Sequence, residues 1–459
     1  MTTGLANGDG GFLREPIVVA GLIASNFARF DADKGIVAVA DEAYTLNSFE
    51  DLGPSKLVRL TGSFSPPAGD VYVAGIKQCD SYNSTVTIGD KSTLHIGDGV
   101  NPAMYFFYVN TTVKGQGTID FGGSEGIFIV ATANQDTYAN EIGCRITGFG
   151  GITYAAYSYD YSQRKILRLS AASDYTGGTW INGCTVVPLV AGAFSTGTVT
   201  VGEGESRGGR VLLSEPIELA NDFVVGGSGS GNGENTSGCL VFNAPAVLSG
   251  TVKVGEDARI GVAQGVTGTI SGKVSGGRII ACGGGTLYLS GDNVHSGGSE
   301  AFDTTICVAS CSALGTGEVV LNGGVLRLEN ASAETMDNPL RGIGSVQMVG
   351  AEVKFRGKTN RLDAACVLDI PGTEITLSEQ PPFENVTNSV RKTAKVTLAG
   401  ADFSFNPEKW GGRFVLELEE GASLDLGGGT LCVRSFTGDR SAVNGTIVQD
   451  LPGVMIIVR

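Results

Sequence analysis

Two histidines, His95 and His295, supply all the imidazole in 459 residues, and they stand far apart in the chain. Metal centres, catalytic triads and general-base sites draw on histidine first, so that separation argues against all three. His95 alternates with apolar neighbours in Thr93-Leu94-His95-Ile96 and is expected on the outward face of a strand. Ser124, in Gly122-Gly123-Ser124-Glu125-Gly126, has the spacing of a nucleophile elbow. An elbow needs a helix after the serine, whereas Ile127-Phe128-Ile129-Val130 reads as a strand. Sugar-cleaving chemistry needs paired carboxylates across a groove. The candidate acids Asp31, Asp33, Asp80, Asp90 and Asp98 instead stand singly at turns, with no Asp-Asp and no Gly-His-Gly. No catalytic, cofactor-binding or metal residue is assigned, and the expectation is a protein that is not an enzyme.

Other side chains divide in the same way. Nine cysteines occur without a CxxC pair, and most are expected to be small buried hydrophobes. Cys282 and Cys307 are spaced by close to one coil of a solenoid, so they form one candidate disulfide. Gly226–Gly233 fits neither dinucleotide nor phosphate-loop spacing and reads as a flexible loop. Tyr105-Phe106-Phe107-Tyr108 offers either an exposed ledge for stacking sugars or a buried stack, with the buried stack favoured. The glycosylation triplets at Asn83 and Asn110 matter only in a eukaryotic secretory route.

What could position such residues follows from composition and pattern. Glycine reaches 70 residues and proline 14, while 42% of residues are hydrophobic and 17% charged. That is too apolar for a disordered chain, and it is dominated by residues suited to pleated surfaces. The net charge of −15 disfavours nucleic acid and anionic membrane as partners. No apolar run is long enough to span a bilayer. Ile17–Ala24 is a weak signal-like stretch, better read as a strand.

Short strand-like runs recur from about residue 84 to the C-terminus, many alternating in period two, such as Thr198-Val199-Thr200-Val201. Ala331–Arg341 is left as a short helix or an irregular loop. A sandwich or barrel closes after a few strands, whereas this pattern continues, which favours a solenoid. An internal repeat adds to that. Residues 166–204 align without a gap to 286–324, sharing Leu167/Leu287, Leu169/Leu289, Gly177-Gly178/Gly297-Gly298 and Val199/Val319. The leucines are expected to point inward and the glycine pairs to supply positive φ at a corner.

Within that repeat, Gly285–Gly298, GTLYLSGDNVHSGG, resembles the passenger-associated repeat of bacterial autotransporters, and Ala313–Leu328 is similar to its second half. Phe27-Ala28-Arg29-Phe30-Asp31 with Gly35-Ile36, then Leu57–Gly62, resembles a block of large autotransporter-associated β-strand proteins. The segment Val396–Val433 looks like one of their coils. Position 175 has that repeat's corner tyrosine, whereas the equivalent 295 is His. No segment resembles the membrane-embedded translocator, and Val454–Arg459 reads as a final coil strand.

The fold expected is all-β: a single right-handed parallel β-helix over residues 65–459, with an irregular N-terminal capping segment at 1–64. The resemblance implies a non-enzymatic scaffold at the bacterial cell surface or outside the cell, used for adhesion or structural display. It would be monomeric or part of a longer chain that carries the export signal. Glycans or cell-surface proteins are the expected partners, and no cofactor is expected. The alternative is a carbohydrate-active β-helix or glycan-binding module.

Overall fold

Inward apolar residues at every second position can be buried only if successive coils stack on one another, and the computed structural model has that arrangement. It describes residues 52–79, 83–130, 139–156, 165–202, 209–229, 237–331, 334–349, 395–411 and 414–451. It also describes residues 40 and 44–48, and strand backbone at 18–20, 25–31, 35–38, 353–355, 361–362, 367–370, 374–377, 387–390 and 454–458. The protein is all-β and folds as a parallel β-helix. Among the described residues the helical turns are short 3-10 turns, such as Cys311–Leu314 and Pro407–Lys409. The chain falls into two compact units, Met1–Thr251 and Val252–Arg459.

In the first unit one row of parallel pairs climbs the coils. Tyr44 lies beside Leu57, Leu57 beside Gly75 and Gly75 beside Met104. Met104 pairs with Ile127, Ile127 with Thr153, and Thr153 with Trp180. Among the described residues, parallel pairing runs from Tyr44 onward. Upstream, the backbone of Val18–Ala20, Ser25–Asp31 and Gly35–Ala38 forms an antiparallel meander. A second row stacks Val71, Leu94, Ile119 and Ile146 inward, each at most 6% exposed.

Rings continue the same logic. Tyr105, Phe128 and Tyr154 are paired in register and fully buried. Phe128 lies 5.6 Å from the Tyr154 ring and 5.9 Å from that of Tyr105. The Tyr105–Phe107 run is thus a buried stack. Its alternate residues Met104 and Phe106 are also buried, in a separate cluster with Leu57, Ile127 and Ile129.

In the second unit, Leu287, Ile306, Leu326 and Val346 form the inward ladder. Side-chain hydrogen bonds from one coil to the next join residues 19 to 23 apart. That spacing removes the candidate disulfide. Cys282 follows Ala281, which pairs with Ala301, whereas Cys307 lies beside Tyr288 and Arg327 in a different row. Neither is in a disulfide, and both are buried. Burial pushes the Cys307 thiol up to about 12, as it does for Cys144 and Cys184. Thiol labelling of the native protein with peptide mapping is expected to modify exposed Cys432 and spare the seven buried cysteines. Cys366 lies outside the described residues.

The internal repeat is structural. Ile166–Leu169 and Thr286–Leu289 are equivalent strands, as are Thr179–Asn182 and Ser299–Phe302, and Thr185–Pro188 and Thr305–Val308. Leu167, Leu287, Leu169 and Leu289 point inward as expected. The glycine pairs need correction. Only Gly298, at φ +92°, occupies the left-handed region. Gly177 and Gly297 are required by close approach: a Cβ there would meet the Gly150 carbonyl carbon at 2.4 Å or that of Gly277 at 2.6 Å.

The corners carry buried asparagines. Asn221 Nδ2 donates to the carbonyls of Ser195 (3.1 Å) and Gly197 (2.9 Å). Asn338 Nδ2 donates to those of the repeat equivalents Gly315 (3.0 Å) and Gly317 (2.7 Å). Asn338→Ala strips that donor from two carbonyls, and a loss of about 1–3 kcal/mol is expected. A lowered urea midpoint would register it.

Two further expectations change. Within Ala331–Arg341 the chain forms the strand Glu334–Met336 and begins another at Leu340. The last strand, Val454–Val458, is not a coil strand: it turns back antiparallel on Val443–Leu451, pairing Ile447 with Val458. Arg459 lies outside the described residues.

Candidate functional site

On the first unit, strands Asp70–Val73, Thr93–Ile96 and Thr112–Asp120 alternate inward Val71, Leu94 and Ile119 with outward polar residues. Register places Tyr72 beside His95 and His95 beside Asp120. The Tyr72 and His95 rings stack at 4.3 Å and 6°. His95 Nδ1 lies 3.0 Å from Asp120 Oδ2, and Nε2 lies 3.7 Å from Asp70 Oδ1. Asp120 Oδ1 also accepts the Gly122 N–H at 2.7 Å. The result is a carboxylate–imidazole–carboxylate ladder with a half-exposed tyrosine at one end.

Sequence reasoning placed His95 outward but missed its partners. Asp70, Tyr72 and Asp120 belong to other coils, and the unequal lengths of those coils conceal the register. An inverting glycosidase holds its carboxylates apart around a water and the scissile bond. Here an imidazole fills that gap. The ladder leaves no sugar-sized space between Asp70 and Asp120.

Outward charges elsewhere pair across coils. Arg145 Nε donates to Asp174 Oδ1 at 2.9 Å, and Nη2 contacts Oδ2. That hydrogen bonding holds the Asp174 carboxyl below its usual range. In the second unit, Arg278 binds Asp257 (2.7 Å) and Glu300 (3.4 Å), and Asn322 donates to Glu300 (3.2 Å). Such exposed pairs contribute little energy each.

The other candidates lie apart from this ladder. Ser124 is buried, and the strand Gly126–Val130 follows it. His295 is fully buried, with Nε2 2.9 Å from Ser299 Oγ. That contact reproduces Tyr175 Oη to Thr179 Oγ1 (2.6 Å) one repeat earlier. Asp98 closes its own turn, accepting from Val100 (2.9 Å) and Asn101 (2.7 Å). Asp90 is exposed at a turn, and Asp31 ends a strand. Asp33, Asp80 and residues 230–233 of the glycine-rich loop lie outside the described residues. Among the described residues, no group of three or more His, Cys, Asp or Glu could hold a metal ion. None of their helices is long and apolar enough to cross a membrane.

No family model matches the chain, and no solved structure matches it. Two curated proteins do. An uncharacterized protein, YuaQ, of Escherichia coli K12 is 22% identical over 409 residues, covering 83% of this chain and 27% of that protein. The adhesin BmaC autotransporter of Brucella suis biovar 1 is 24% identical over 276 residues, covering 56% of this chain and 7% of the adhesin. The chain thus spans less than a third of either relative. It is a parallel β-helix with distant similarity to an autotransporter adhesin.

Proposed function

We propose that this chain is a β-helical segment of the autotransporter-passenger type, akin to the autotransporter-associated β-strand repeat proteins. It is displayed at or released from the cell surface and serves adhesion or structural display. The observation that carries this reading is the similarity to the Brucella adhesin over more than half of the chain, in a fold that presents long outward faces. The acidic balance also suits a soluble β-helix that avoids its neighbours. Binding would come from contacts along the flank rather than from a cleft. Purified protein is expected to bind at least one of cultured cells, matrix proteins or immobilised polysaccharide, without releasing reducing ends. No binding to any of these surfaces would count against it.

A second reading, a carbohydrate-active enzyme, has against it the imidazole that fills the gap between Asp70 and Asp120. Release of reducing ends that is lost in Asp120→Asn, with the fold intact, would replace the first reading by the second.

A further inference from the structure

Trp180 faces away from the interior of its coil. Strand Thr179–Asn182 buries Thr179 and Ile181 inward and turns Trp180 outward, where it is 41% exposed. The internal repeat supplies a control: its equivalent position is Glu300, tied to Arg278 and Asn322. A coil of this kind is satisfied by a charged residue there. The tryptophan is nevertheless seated with care. A Cβ on Gly151 would lie 2.3 Å from Trp180 Cζ3, and one on Gly178 would lie 3.2 Å from Cη2. Two glycines on adjacent coils thus clear a floor for the six-membered ring of the indole.

The surroundings are mixed apolar and hydrogen-bonding. Thr153 lies beside Trp180 on one coil and Thr200 beside it on the next. Thr153 Oγ1 donates to Glu125 Oε1 at 2.5 Å. Phe149, 81% exposed, stands on the corner leading to Gly151, and its carbonyl accepts from Thr176 Oγ1 at 3.4 Å. We infer that Trp180 is the stacking platform of a subsite for neutral pyranose oligosaccharides, which rests on and deepens the surface-binding reading above.

The chemistry selects that ligand. The face of a pyranose that carries axial C–H bonds packs on an aromatic ring, while its equatorial hydroxyls reach side chains such as Thr153, Thr200 and Glu125. The net charge of −15 and the adjacent Glu125 disfavour uronic acids and other anionic sugars. One indole and one phenyl ring fall well short of the roughly 800 Å² per partner of a stable protein interface. A shallow aromatic platform ringed by hydroxyls fits a saccharide.

The test is calorimetry with cellohexaose, laminarihexaose and mannohexaose, and with hexagalacturonate as the anionic comparison. The wild type is expected to bind at least one neutral hexaose. Trp180→Ala should weaken that binding at least about tenfold, Trp180→Phe should retain part of it, and both should keep the wild-type melting temperature. No binding of any neutral hexaose, equal affinity in Trp180→Ala, or preference for hexagalacturonate would overturn the subsite. Cell adhesion without hexaose binding overturns the subsite and leaves the surface reading standing. Trp180-dependent hexaose binding by a chain that adheres to nothing else supports the subsite and narrows the surface reading to glycans.

Discussion

Phe128→Ala is expected to loosen the coils around Ala103–Phe107, Gly126–Val130 and Ile152–Ala156 by about 3–5 kcal/mol. Phe128 is fully buried and meets four rings: Tyr105, Phe107, Phe121 and Tyr154. The Phe121 contact is edge-on at 88°, and the others are tilted or stacked. Truncation removes the ring's own transfer energy and leaves a cavity that two neighbouring coils must share. In a solenoid each coil touches only those above and below, so the damage stays local. Native-state hydrogen exchange measures it strand by strand. Amides of these three strands should exchange about two or more orders of magnitude faster, while Thr286–Leu289 and Thr305–Val308 keep wild-type protection. Unchanged protection at Gly126–Val130 would contradict the stacked-ring core.

Acidification should destabilise the second unit through His295. Burial lowers its pKa from 6.5 to about 4. Nδ1 finds no hydrogen-bond partner, while Nε2 meets Ser299. Between those two pH values the unfolded chain binds a proton that the native chain refuses, so stability falls as pH drops through that window. Below about 4 both states carry the proton and the loss is complete. Its size is about 3 kcal/mol. His295→Tyr installs the residue that the repeat has at Tyr175, whose hydroxyl meets Thr179 as His295 meets Ser299. The variant should lose this part of the pH dependence, whatever packing strain shifts its baseline. Midpoints of urea unfolding from pH 7.5 to 4 decide the matter, and identical slopes in the two proteins would contradict the assignment.

The fold was legible because a coil repeats one simple demand. Leu167, Leu169, Leu287 and Leu289 announce their inward positions by period two, and the ungapped repeat carries that pattern through whole coils. The rest depends on which residue of one coil lies over which residue of the next, and coil lengths vary. Side-chain bonds between neighbouring coils join residues as many as 29 apart in the first unit but 19 to 23 apart in the second. Reading one coil as the interval between Cys282 and Cys307 therefore put two thiols together that belong to different rows. The same uncertainty hid Asp70 and Asp120 from His95.

Chemistry at single positions was harder still. Gly177 and Gly297 looked like left-handed corner glycines, but the neighbouring coil's backbone, not φ, excludes a side chain there. The run Tyr105–Phe107 and the isolated Trp180 show the same limit from the other side. Density of aromatics pointed to the former, yet those rings are buried, and the exposed platform is one tryptophan whose glycine floor comes partly from another coil. Val454–Val458 has the composition of a coil strand, and only its partner reveals the antiparallel return.

The central functional claim is display outside the cell. Its most direct measurement is labelling of intact cells of the organism that makes this chain, using antibody raised against the purified protein, with and without permeabilisation. Labelling of unpermeabilised cells or of their medium, removed by added protease, is the predicted result. Labelling that requires permeabilisation and survives protease would contradict it.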